Sequence, residues 1–226
     1  MSVNNTSQNG AVPARIAMLG GTFDPVHLGH LRSAVELLEM LSLDRVHLVP
    51  AHVPPHRQAP GVCAEQRLAM LAAGVGDTPG LIVDDRELQR EGPSYSADSL
   101  ASLREAYGGD ARLVMVIGHD AFLKLDSWHR PERVFELAHV VVIDRPGHEA
   151  AMSASLRELI GQREVSTPHA LFDSPAGGLL RIGLPTRLAI SATAIRQRLK
   201  EGSSVRYLLP GAVEDYIQRQ GLYQDP

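Results

Sequence analysis

Several things are scarce in this sequence, and each shortage removes a class of function. A single cysteine, Cys63, rules out an internal disulfide and any cysteine-rich metal site. Long apolar runs are missing; stretches such as "LVMVI" and "VVVI" are too short to span a bilayer, so no membrane role is expected. An excess of positive charge is missing too. The 22 Lys and Arg residues face 26 Asp and Glu residues, and the formal net charge of −4 gives no general pull toward nucleic acid or an anionic surface. Any phosphate binding must therefore come from local groups. The opening "MSVNNTSQNGAVPAR" lacks the apolar segment of a secretory signal, so residues 1–14 read as a flexible tail and the cytoplasm is the expected compartment.

What is present fits one α/β domain over residues 15–226, with 44% hydrophobic residues to build a core. Short β-branched runs predict strands at Arg15–Leu19, Arg45–Val49, Leu81–Val83, Arg112–Ile117, His139–Ile143 and Leu180–Gly183. Between the first two lies "HLGHLRSAVELLEML", where Leu31, Val35 and Leu38 repeat at helical spacing. "EQRLAMLAAGV" and "SADSLASLREAY" predict two more helices, the second with Ser96 as its N-cap. Others are expected over Pro131–Leu137, Ser153–Ile160, Ala192–Lys200 and Gly211–Gln220, while Pro146–Gly178 reads as an irregular surface excursion. This alternation predicts a Rossmann-like, doubly wound parallel sheet with helices on both faces. Such sheets bind ligands beyond the strands' carboxyl ends, where the strand order reverses. With the order 3-2-1-4-5, the loops "GGTFDPVHLGH" and "GHDAFLKLDSW", after the first and fourth strands, come together there.

The first loop fails two phosphate-binding patterns. Gly20 and Gly21 are adjacent and the next glycine is Gly29, which excludes G-x-G-x-x-G; no Gly-Lys-Ser/Thr follows, which excludes a P-loop. What remains is a glycine turn entering a helix whose N-terminus favours anions. His27 and His30, at i and i+3, share the first turn of that helix. They could donate to phosphate oxygens, cap the helix, lie on the surface, or join a zinc site for which no other ligand cluster is visible.

"GTFDPVHLGH" resembles the H-x-G-H signature of the nucleotidylyltransferase superfamily, in the form carried by bacterial nicotinate-nucleotide adenylyltransferases. "ISATAIR", at Ile190–Arg196, is similar to the superfamily's second signature, with Ala192 where Ser or Thr is commoner. "VPPHR", "REGPSYSADSL", "IGHDAFLKLDSWHR", "DRPG" and "LLPGAVEDYIQRQGLY" extend the resemblance over roughly Arg15 to Tyr223, with His119 where Gln or Ala is more usual. The resemblance implies transfer of an adenylyl group from ATP to nicotinate mononucleotide. It implies His27 and His30 as catalytic donors, and Gly20, Gly21, Thr22, Phe23, Gly118, Asp120, Ser191, Thr193 and Arg196 around ATP. Helix capping is the alternative role for Asp120, and capping with a solvent-facing arginine the alternative for Ser191, Thr193 and Arg196. Ser94, Tyr95, Ser96 and Trp128 are implied for the acceptor, with His56 and Arg145 for its phosphate; Trp128 could instead fill the core. Magnesium is expected on the ATP phosphates, with no dedicated protein metal site. A different pyridine or phosphopantetheine acceptor, a non-catalytic nucleotide sensor, and a homo-oligomer all stay open.

Overall fold

Alternating apolar patterns become alternating strands and helices in the computed structural model, which describes residues 12–52, 62–144, 151–186 and 188–224. The order is β1 (Arg15–Gly21), α1 (Leu28–Met40), β2 (Arg45–Pro50), α2 (Ala64–Val75), β3 (Leu81–Val83), α3 (Ser96–Tyr107), β4 (Arg112–Gly118) and α4 (His119–Phe122). A 3-10 turn at Leu125–Ser127 leads to α5 (Pro131–Leu137), β5 (His139–Ile143), α6 (Ala154–Ile160), β6 (Glu164–Val165), α7 (Pro168–Leu171), β7 (Leu179–Ile182), α8 (Ala192–Lys200) and α9 (Gly211–Gln220). The seven strands form one parallel sheet in the order β3-β2-β1-β4-β5-β7-β6.

Side-chain alternation along each strand feeds two apolar layers. Ala17 of β1 joins Leu37 of α1, Met70 of α2, Ile195 of α8 and Val213 of α9 on one face. Ile16 and Met18 join Leu100 of α3, Phe135 of α5 and Leu156 of α6 on the other. Covering both faces is what a parallel sheet requires, because each strand is apolar on both sides. Truncating one such fully buried leucine to alanine typically costs about 2–5 kcal/mol.

β1 and β4 are neighbours, with Leu19 opposite Val116, and the order reverses between them. The switch point therefore lies where the doubly wound order puts it. Three expectations need correction. The predicted excursion over Pro146–Gly178 contains, besides α6, the edge strand β6 and the helix α7. Two residues are too few to show period-two alternation, and four are barely one helical turn. The last strand runs Leu179–Ile182 rather than Leu180–Gly183. Tyr95, not Ser96, is the N-cap of α3: its backbone is extended and its carbonyl already accepts from Asp98 N and Ser99 N. Residues 1–11 of the expected tail lie outside the described residues, while the Ala14 carbonyl accepts from Arg112 N at the sheet. Among the described residues no helix is long and apolar enough to cross a membrane.

Candidate active site

Gly20 and Gly21 form the carboxyl end of β1, and the chain then crosses to α1. A Cβ on Gly21 would stand 3.0 Å from the Phe23 ring, and one on Gly29 would stand 3.0 Å from His27 Nδ1. The glycine inside H-x-G-H thus makes room for the first histidine's own ring.

His27 is the N-cap of α1 and His30 its third residue. His30 N donates to His27 Nδ1 at 3.4 Å, and His27 N donates to His30 Nδ1 at 3.3 Å. This reciprocal capping box satisfies two helix-end donors and stacks the imidazoles, with centroids 3.6 Å apart. The cap decides the chemistry as well. A ring nitrogen that accepts carries no proton, so the hydrogen-bond network assigns the proton of each neutral imidazole to Nε2. Burial agrees for His27, pushing its pKa down to about 4 and keeping the ring neutral. Capping and phosphate donation, alternatives in the sequence, are compatible for His27: its Nδ1 caps the helix and its proton sits on Nε2.

The Phe23 ring is buried and meets His30 edge-on at 5.1 Å, so Phe23 can touch a nucleotide only through its backbone. At the other end of the chain, Ser191 caps α8 by accepting from Ala194 N. Arg196 Nη1 donates to the Asp24 carbonyl at 2.6 Å and lies 3.7 Å from Asp24 Oδ2; its Nη2 reaches Thr193 Oγ1 at 3.4 Å. Segments 172 positions apart meet through this arginine, which is half-buried rather than solvent-facing.

Gly118 is the N-cap of α4, and Asp120 is exposed in its first turn, just past the end of β4. His119 is buried, with Nδ1 3.1 Å from Asp144 Oδ1 and Nε2 without an acceptor among the described residues. Ser94 Oγ accepts from His52 N at 2.9 Å, tying the loop after β3 to the loop after β2. Tyr95 stacks on His129 at 4.1 Å, next to Trp128, which packs partly against the second apolar layer. Ser96 is half-buried at the start of α3. The structure thus groups Ser94, Tyr95 and Ser96 with the 128–129 segment, while His56 and Arg145 lie outside the described residues.

Residues 18–198 match the model of the family described as cytidylyltransferase-like. A protein of Chromohalobacter salexigens named "Probable nicotinate-nucleotide adenylyltransferase" is 65% identical, over 94% of this chain and 97% of its own length. The chain belongs to the nicotinate-nucleotide adenylyltransferase family. A relative of the same name from Pseudomonas aeruginosa is 48% identical over 94% of this chain and 98% of its own. The solved nicotinic acid mononucleotide adenylyltransferase of Plasmodium falciparum, complexed with NaAD, superposes with a TM-score of 0.68 over 93% of this chain and 97% of its own. At 16% identity that likeness speaks for the fold alone.

Two residues of this family member escaped the sequence reading. Asp24, inside the quoted loop, is buried; its Oδ1 accepts from Tyr223 OH at 2.6 Å, and it receives Arg196. Arg67 is buried on α2 and grips the backbone after β1 and β2. The one available signal was periodicity: Arg67 stands with Met70, Leu71 and Val75 on the apolar face of its helix.

Proposed function

We propose that this chain transfers the adenylyl group of ATP to nicotinate mononucleotide, giving nicotinate adenine dinucleotide and pyrophosphate. The observation carrying the reading is the stacked, mutually capped pair His27–His30 at the N-terminus of α1, beside the β1/β4 switch point. An oxygen of the mononucleotide phosphate attacks the α-phosphorus; the bond to the α,β-bridging oxygen breaks, and pyrophosphate leaves with that electron pair. The attacking oxygen is already anionic, so no side-chain nucleophile or strong base is needed. Catalysis is then positioning and charge stabilisation.

His27 and His30 donate from Nε2–H to oxygens of the α-phosphate as charge redistributes, His27 as a neutral imidazole. The backbone of Gly20, Gly21 and Thr22 lies against the phosphates, and Gly118 and Asp120 against the adenosine. Ser191, Thr193 and Arg196 receive the β- and γ-phosphates. Arg196 does so with the N–H groups left over from Asp24 and Thr193, since a guanidinium carries five. Ser94, Tyr95, Ser96 and Trp128 hold the pyridine nucleotide, and His56 and Arg145 its phosphate. Mg2+ supplies further charge neutralisation when carried in on the triphosphate by phosphate oxygens and water. We propose that His27, His30 and Arg196 would act beside that ion on the phosphates rather than as its ligands. The cytoplasm is the compartment we propose, as the site of free nucleotide substrates.

ATP labelled at the α-phosphorus tests the reaction directly. The label should enter the dinucleotide while unlabelled pyrophosphate appears in equal amount. Label recovered only as ATP would leave a nucleotide sensor; label recovered as AMP would leave a hydrolase.

A further inference from the structure

Arg67 is only 1% exposed, yet the three acceptors of its guanidinium among the described residues are neutral backbone oxygens. Nη1 donates to Thr22 O at 2.7 Å; Nη2 donates to Ala51 O at 2.7 Å and, more weakly, to His52 O at 3.5 Å. Its Nε is buried without an acceptor among the described residues. Burial pushes the guanidinium below its ordinary range, and the carboxylate of Asp24 is the largest charge acting in the opposite sense. A cation so placed is expensive unless something anionic offsets it, and a backbone clip alone would not require a charge.

The three carbonyls say what the clip joins. β1 and β2 run side by side, with Gly21 opposite Pro50 and Ala51 N donating to Gly21 O at 2.9 Å. Just past those strand ends the two chains diverge, Thr22 toward the histidine pair and Ala51–His52 toward Ser94, whose Oγ accepts from His52 N. The Arg67 fork bridges the point of divergence. We propose that Arg67 is a positioning residue that couples the ATP loop to the acceptor loop, so that its buried cation both aligns the two substrates and favours their phosphates. This rests on the adenylyl-transfer reading for the identity of the substrates.

Arg67→Lys is the informative variant, because an ammonium keeps the charge but cannot span two carbonyls as a planar fork does. The KM for ATP and the KM for nicotinate mononucleotide should both rise about fivefold or more. Arg67→Met, which removes the charge as well, should lower kcat by a further factor of about ten. A merely structural brace would lower the melting temperature and the active fraction while leaving KM unchanged, so either KM within about twofold of the parent in a folded Arg67→Lys protein overturns the coupling. If neither variant folds, the parent decides. In protein labelled with 15N-arginine, the Arg67 Nε–H resonance should shift on adding a non-hydrolysable ATP analogue alone and on adding nicotinate mononucleotide alone. A resonance blind to either nucleotide overturns the proposal. Absence of turnover in the parent would instead count against the reaction, a failure the resonance shifts register separately.

Discussion

His27 and His30 hold each other through Nδ1, and that contact separates what each nitrogen does. His30→Ala should lower kcat by a hundredfold or more while ATP binding weakens little, since one lost donor in a transition state is worth about 3 kcal/mol. His30→Asn sharpens the test: its amide oxygen can take over the acceptor role of Nδ1, but nothing reaches the position of Nε2. It should melt near the parent and still lose about a hundredfold in kcat, so steady-state rates and a melting curve together separate capping from catalysis. Buried histidines also set a pH dependence of stability. Burial brings both His27 and His139 down to about 4, so between pH 6.5 and 4 the unfolded chain binds protons that the folded chain refuses. Stability is therefore full above that window and is lost as pH falls through it, by about 2 kcal/mol for each ring between pH 7 and pH 5. Urea unfolding at those two pH values measures this, and an unchanged free energy contradicts two neutral rings.

At the scale of elements, α8 is fastened to the loop before α1 by Arg196, whose Nη1 serves both the carbonyl and the carboxylate of Asp24. Arg196→Ala should raise the KM for ATP about tenfold or more and lower kcat as well, with lysine restoring only part because it keeps charge without the fork. Initial rates against ATP and mononucleotide concentration check this; an effect confined to the mononucleotide would move Arg196 to the other pocket. The elements carrying these residues were legible in the sequence because their patterns are long. Thirteen residues of α1 and seven of β4 give periodicity room to show. β6 and α7 were not legible, having two and four residues and taking their place from the edge of β7. The candidate site was legible where motifs name residues, as at His27, His30 and Arg196. Asp24 and Arg67 were missed because a buried charge is defined by what surrounds it, and their partners at Tyr223, Thr22 and Ala51 are distant in the chain or are backbone carbonyls.

Taken whole, the molecule brings the loops after β1 and β4 to one carboxyl edge of one sheet, where Ser94 is tied to His52 and Tyr95 to His129. The proposed acceptor side is Ser94, Tyr95 and the 128–129 segment. Trp128→Ala should weaken the pyridine mononucleotides through lost ring contact and leave the KM for ATP nearly unchanged, as paired titrations of the two substrates would reveal. A nicotinate carboxylate asks this side for donors, which we propose come from backbone N–H groups of those loops other than Tyr95 N and Trp128 N, already bonded to Pro93 O and Leu125 O. An amide would turn an NH2 toward one of them. Mispairing costs roughly 1–3 kcal/mol, and loss of charge assistance adds to it, so the acid should be preferred by more than about a hundredfold in kcat/KM.

The central claim, adenylyl transfer to a pyridine mononucleotide, is tested most directly by pyrophosphate release from ATP and Mg2+ with each of three acceptors: nicotinate mononucleotide, nicotinamide mononucleotide and phosphopantetheine. The expected result is rapid release with the nicotinate compound, release slower by about a hundredfold in kcat/KM with the amide, and none with phosphopantetheine. Comparable rates for acid and amide would remove the selectivity and leave the transfer; no pyrophosphate with either pyridine mononucleotide would contradict the account.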